Sequence, residues 1–152
     1  MVDKISKKHR SWNMSKIRSV DTKPELFVRK LLHNIGFRFR LNGKISKKYC
    51  IKGVLIGKPD IVLAGYKTVI FIHGCFWHRH TDCKYATTPK TRTDWWLEKL
   101  NKNVERDNHV KKELKKCGWK VIIVWECETS LKNIEILKDK LNTEIKNDRL
   151  QK

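Results

Sequence analysis

The sequence predicts an α/β domain, a central sheet flanked by helices, and three observations carry that prediction. Two apolar β-type runs, residues 59–64 and 67–72, flank a Gly65-Tyr66 turn. A third run, Trp119 to Trp125, is nearly unbroken in apolar residues, as expected for a strand in the middle of a sheet covered on both faces. Around them lie segments whose apolar residues recur every three or four positions, the period of helices packed on one side. A chain of 152 residues is the size of one such domain.

In chain order, residues 3–20 read as a polar, basic arm without convincing periodicity. Lys7, Lys8, Arg10, Lys16 and Arg18 are interrupted there by Trp12 and Met14. The arm is either a disordered tail or a segment that orders on DNA, with Met14 or Trp12 against bases. Thr22-Lys23-Pro24-Glu25 is a capping-box signature with proline in the first turn, so a helix should run from about Lys23 to Ile35 and stop at Gly36. Glu25 is then either the partner of a capping N–H or an acid that orients water at an active site. Phe37 to Leu41 alternates like a strand, and residues 42–57 are a connection with a short strand near Ile51 to Ile56.

The runs around Gly65-Tyr66 form a hairpin. Asp60 begins its first strand and His73 ends its second, so pairing brings both to one end of the sheet. Residues 84–92 are a polar loop. Thr93 to Cys117 is helical, with Trp96, Leu97, Leu100, Val104, Val110 and Leu114 apolar and Gly118 closing it. Its other face carries Lys99, Lys102, Asn103, Arg106 and Lys111, either solvated or set against phosphates. Ser130 caps a last amphipathic helix with Leu131, Ile134, Leu137, Leu141 and Ile145. The resulting division is an arm, residues 1–20, and a single domain, residues 21–152.

Thirty-five Lys+Arg against sixteen Asp+Glu give a net charge of +19, which makes a polyanion the natural partner. No apolar run approaches membrane-spanning length and the basic N-terminus lacks an apolar core, so a cytoplasmic protein is expected. Five cysteines in a reducing compartment point to metal ligation or buried thiols rather than a disulfide framework.

The chemistry is concentrated between Phe71 and Cys83. Cys75-x4-His80-x2-Cys83, joined by Cys127, is a Cys₃His set, which favours a closed structural zinc; His73 and His78 are competing ligands. Cys50 and Cys117 fit no ligand spacing and are read as packing residues. Asp60 after Gly57-Lys58-Pro59 is placed as sheet-based nucleases place a Mg²⁺ carboxylate. His78 can accept a proton from attacking water or steer a leaving group, and His73 can polarise a water on the metal. Phe76 and Trp77 either fill core beside the zinc or form a wedge that enters the base stack.

Phe71-Ile72-His73-Gly74-Cys75-Phe76-Trp77-His78 resembles the signature of very short patch repair endonucleases. Further matching segments are Asn13-Met14, Asp21-Thr22 with Glu25, Pro59-Asp60, Thr91-Arg92-Thr93, Trp96-Leu97-Glu98-Lys99, the run Lys102 to Asp107, and Gly118-Trp119 through Cys127. The resemblance implies a restriction-endonuclease-like central mixed β-sheet flanked by helices, with a structural zinc site. It also implies Mg²⁺-dependent nicking of one strand 5′ to the thymine of a T:G mismatch, the product of 5-methylcytosine deamination. Asp60 would be the Mg²⁺ carboxylate and His78 the catalytic histidine, with Glu25 and His73 ordering waters around the ion. Cys75, His80, Cys83 and Cys127 would hold zinc. Phe76 and Trp77, with Met14 from the arm, would be the wedge, and Arg92, Lys99, Lys102 and Asn103 further DNA contacts. The implied partner is double-stranded DNA with a T:G mismatch, bound by a monomer, with downstream repair proteins beyond it and no membrane.

Where related nucleases carry an acid and a lysine on the second strand, this chain has Phe71-Ile72-His73, so the Ile72 carbonyl is expected to stand in as a Mg²⁺ ligand. Residues 43–55 and the Thr81-Asp82 insertion are longer than compact members need. Two rivals remain: a zinc-containing protein that binds distorted DNA without cutting it, and a restriction-type nuclease that cuts intact duplex.

Overall fold

A computed structural model describes residues 5–45 and 53–147. The elements are helices α1 (Lys7–Ser15) and α2 (Lys23–Asn34), strands β1 (Arg40–Leu41), β2 (Ile61–Leu63) and β3 (Thr68–His73), helix α3 (Thr93–Lys116), strand β4 (Lys120–Trp125) and helix α4 (Ile134–Lys146). The sheet runs β1-β2-β3-β4 in space; the first two pairings are antiparallel and β3–β4 is parallel. It is therefore a mixed sheet flanked by helices.

Alternation along the strands builds two cores. Ile61, Leu63, Ile70, Ile122 and Val124 face α2 and α4, where Val28, Leu32, Leu137 and Leu141 meet them. Val62 and Val69 face the other way, onto Leu114, with Phe71, Val110 and Val121 packed around them. Two helices end in the same way and so feed the sheet. Beyond α2 the Phe37 N–H bonds to the Leu32 carbonyl, and beyond α3 the Trp119 N–H bonds to the Leu114 carbonyl. Each bond folds the following aromatic into the core at Gly36 and Gly118, as the sequence predicts.

Several expectations are corrected. The arm contains a helix: Ser6 accepts from the His9 N–H and starts α1, which buries no described residue and leaves Trp12 and Met14 exposed. A local cap starts it and it buries no apolar face, so no apolar period announced it. Phe37 to Leu41 contributes only two strand residues, because β2 is itself three residues long and Phe37 belongs to the helix-ending turn. Residues 51 and 52 lie outside the described residues; Val54 beside them makes a single bridge to Lys44.

Among the described residues β4 is an edge strand, not a central one. Its apolar run is explained by helices on both faces, which bury side chains without a second strand beside it. Ser130 does not cap α4 with its side chain. Residues 131–133 form a 3₁₀ turn first, and Leu131, 81% exposed, leaves the buried face. Cys117 is exposed, not packed, and Cys50 lies outside the described residues. Among the described residues no helix is long and apolar enough to cross a membrane.

One glycine positions the chemistry. At Gly57 φ is +73°, and an added Cβ would lie 2.3 Å from the Val110 side chain. Only a residue without a side chain lets this loop press against α3 before Pro59 and Asp60 enter β2.

Candidate active site and metal centre

The β2–β3 ladder ends at Ile61–Ile70, and the Ile72 N–H beyond it donates to the Asp60 carboxylate at 2.7 Å. Asp60 thus reaches across the end of the hairpin to β3. Burial pushes its carboxyl up to about 6; the Ile72 N–H opposes that rise and the charge of Glu25 adds to it.

His73, the last residue of β3, is buried, and its imidazole is driven down to about 4 by desolvation first and then by His78. It is neutral at neutral pH. Its ring stacks on His78 with centroids 3.8 Å apart and planes 8° from parallel. His78 Nδ1 lies 2.5 Å from Asp107 Oδ2 on α3. An ionised carboxylate only accepts, so Nδ1 carries a proton, and in the neutral tautomer Nε2 is the acceptor.

His73, His78 and Asp107 also bring ligand atoms within 4.8 Å of one another. Stacked rings project their in-plane lone pairs side by side, however, and two such nitrogens do not converge on one ion at about 2.0 Å. The arrangement is a histidine–carboxylate pair with a second imidazole stacked on it.

Glu25 is the cap partner of the Thr22–Glu25 box. Its Oε1 accepts from the Thr22 hydroxyl at 2.9 Å, and its Oε2 accepts from the Asp21 N–H and from Arg29, each at 3.0 Å. It nevertheless lines the same cleft as Asp60, Ile72, His73, His78 and Asp107, a space of about 460 Å³ with Arg18, Lys58, Arg106 and Lys111 around it. With Glu126 also lining it, the cleft sets four cations beside four carboxylates, so cations are at hand for a phosphate and acids for a metal ion.

The second cluster is made by the loop after β3, which supplies Cys75, His80 and Cys83, and by a 3₁₀ turn after β4 that presents Cys127. All four ligand atoms lie within 4.8 Å of one another. His80 Nδ1 is 3.5 Å from Cys75 Sγ and 3.4 Å from Cys127 Sγ. A tetrahedral ion with ordinary Zn–S and Zn–N bonds requires an S···N edge of about 3.5 Å, so the donor set fits a bound metal. Burial pushes the Cys75 thiol up to about 12, and such a thiol becomes a thiolate only when a cation replaces its proton. His73 and His78, the rival ligands, lie at the cleft instead.

Helix α4 braces that turn. Lys140 donates to Glu128 at 2.8 Å and to the Ile123 carbonyl at 3.2 Å; Glu128 in turn accepts from the Trp125 N–H at 2.7 Å.

Comparison with known proteins decides the family. The family model described as DNA mismatch endonuclease Vsr matches residues 2–85. The chain belongs to the Vsr family. The "DNA mismatch endonuclease Vsr" of Escherichia coli K12 is 43% identical over 144 residues, 95% of this chain and 85% of that protein. "Type II nicking enzyme V.NmeAIP" of Neisseria meningitidis serogroup A is 52% identical over 142 residues, 93% of each chain. "Type II nicking enzyme V.XorIIP" of Xanthomonas oryzae pv. oryzae is 43% identical over 130 residues, 86% of this chain and 88% of the relative. This Vsr-family chain is a DNA endonuclease of mismatch repair, and DNA is its partner.

The residues expected to touch DNA are distributed around the aromatic end of α3. Phe76 and Trp77 are half-buried and pack on Trp96, with ring centroids 5.5 and 6.0 Å away. Lys99 lies over Trp77, Trp95 and Trp96; Arg92 lies over Trp95. Asn103 donates to the Trp77 carbonyl at 3.2 Å, and Lys102 pairs with Glu98 in solvent. Met14, on α1, is exposed and does not line the cleft.

Asp107, which meets His78, and Trp96, on which Phe76 and Trp77 pack, were not among the candidate site residues. Asp107 stands one helical turn beyond Asn103, an acid on a basic face, and ends the matching run Lys102 to Asp107; those were its visible signals.

Proposed function

We propose that this chain nicks one strand of duplex DNA 5′ to the thymine of a T:G mismatch, by Mg²⁺-dependent hydrolysis of a phosphodiester. The fold around the site is read as restriction-endonuclease-like, a single domain over residues 21–152 preceded by the basic segment 1–20. The observation that carries the reading is the meeting of Asp60 with the His78–Asp107 pair in one cation-rimmed cleft.

Asp60 and the Ile72 carbonyl would hold magnesium, and zinc would sit among Cys75, His80, Cys83 and Cys127. When bound, magnesium supplies Lewis-acid polarisation of the scissile phosphate and neutralises charge on the departing oxygen. His78 Nε2 accepts a proton from the attacking water, while Asp107 holds the reacting tautomer and stabilises the imidazolium that forms. Neutral His73 lies against one ring face of His78 and orients water without adding a positive charge. Glu25, anchored by Thr22, Asp21 and Arg29, keeps an acceptor edge for a second water. A P–O bond forms to the water oxygen, the P–O3′ bond breaks, and the departing oxygen takes a proton from solvent, leaving a 5′-phosphate and a 3′-hydroxyl.

Phe76 and Trp77 are read as the wedge, with Met14 approaching from α1. A mismatched step is poorly stacked, so opening it costs less than opening a paired one. Arg92, Lys99, Lys102 and Asn103 then exchange their contacts within the protein for contacts to DNA. The enzyme acts as an intracellular monomer, and downstream repair proteins take up the nick.

The test is incubation with Mg²⁺ and matched T:G and C:G duplexes, each strand labelled separately. A nick confined to the thymine strand of the T:G duplex is expected. Cleavage of both strands of intact duplex would favour a restriction-type nuclease, and binding without a nick would reduce the chain to a DNA-binding protein.

A further inference from the structure

The metal centre and the cleft are joined by rings. His80, whose Nδ1 faces Cys75 and Cys127, stacks on Trp125 with centroids 4.0 Å apart and planes 5° from parallel. Trp125 meets His73 at 5.5 Å and 72°, His73 stacks on His78, and His78 ends on Asp107. The backbone enforces the middle contact, because His73 and Trp125 are register partners at the ends of the parallel strands β3 and β4. Glu128 fixes the Trp125 N–H from the far side.

We propose that Trp125 is a positioning residue, the ring through which the Cys/His metal centre sets the orientation of the His73–His78 pair. The inference rests on the nicking reading above. Among the described residues no hydrogen bond reaches the His73 side chain, so its tilt is set by its ring neighbours Phe71, Trp125 and His78. A metal held by His80 Nδ1 would fix that imidazole, and the indole of Trp125 lies flat against it. His73 takes its angle from the indole, and His78 takes its own from His73 at one side and Asp107 at the other. The C-terminal helix, through Lys140 and Glu128, therefore supports the chemistry at a distance.

Three variants test this: Trp125→Leu, Trp125→Phe and His80→Cys. The last keeps four soft donors for zinc while deleting the first ring of the series. Zinc per chain, far-ultraviolet circular dichroism, nicking kinetics and histidine ring NMR resonances at one fixed pH are measured on each zinc-loaded protein.

Trp125→Leu and His80→Cys should retain zinc and fold, shift the His73 and His78 resonances, and lower kcat about 10- to 100-fold with KM within about twofold, the scale of a small misplacement of reacting groups. Trp125→Phe, which restores an aromatic face, should recover most of the rate. Unmoved histidine resonances and wild-type kcat in a zinc-loaded Trp125→Leu protein overturn the proposal. Loss of zinc from both Trp125→Leu and His80→Cys also overturns it, since the rings would then serve only the metal centre's own stability. An inactive wild type in the same assay refutes the nicking reading instead, and the resonances still decide whether Trp125 orients the imidazoles.

Discussion

Replacing Asp107 with Asn removes the charge that faces His78 and leaves a side chain of nearly the same shape. The Nδ1–Oδ2 contact is 2.5 Å, and both side chains are about four-fifths buried, with relative exposures of 21% and 20%, so water screens the pair only partly. A hydrogen bond to a charged group contributes roughly 2–3 kcal/mol, and the interaction strengthens as the imidazole gains its proton in the transition state. At about 1.4 kcal/mol per decade, kcat should fall roughly 30- to 160-fold. An amide can also donate to Nδ1 and turn the ring into the wrong tautomer, which acts in the same direction. Binding of DNA should change little, because the Asp107 carboxylate is engaged by His78 Nδ1. Single-turnover nicking of a T:G duplex at saturating Mg²⁺, beside binding measured with Ca²⁺ in its place, separates the two effects. A loss below about threefold in kcat would refute the acid–base role assigned to the pair.

The remaining predictions concern the metal carboxylate, the zinc centre and the wedge. Asp60→Ala should abolish nicking and leave DNA binding largely intact; equal loss of both in a folded protein would remove Asp60 from the metal site. Its carboxyl is raised in the folded chain, from 3.8 to about 6, so the ionised form costs stability above the folded value, and that cost is absent below the unfolded one. Asp60→Asn should therefore raise the melting temperature of the Mg²⁺-free protein at pH 7.5, by up to about 3 kcal/mol of stability, and give no gain at pH 3; a gain independent of pH contradicts the reasoning. Stripping the Cys/His metal with a strong chelator should lower the melting temperature and end nicking, both restored by one equivalent of Zn²⁺; an unchanged melting curve would deny the centre a structural role. Trp77→Ala should reduce the T:G over C:G nicking ratio more than it weakens general DNA binding, and an unaltered ratio would count against the wedge.

Local patterns in the sequence determined much of this protein. The Thr22–Glu25 box set the start of α2, and Gly36 and Gly118 marked where α2 and α3 end. Two apolar β runs on either side of Gly65-Tyr66 defined the hairpin that carries Asp60 and His73 to one end of the sheet. Cys75, His80 and Cys83 were readable as a candidate metal loop because their spacing is short enough to bring three ligand atoms together.

Tertiary packing decided what spacing leaves open. His78 and Asp107 are 29 residues apart, and His80 and Cys127 are 47 apart. A helical period tells which residues share a face, but only the packing of α3 on the β3 loop selects the neighbour that face meets. The edge position of β4, the place of Glu25 in the cleft and the ring series through Trp125 likewise arise from surfaces brought together, not from any stretch of chain. Short-range patterns depend on the backbone's own geometry and are written in consecutive residues; contacts between elements depend on shape and burial summed over the whole domain.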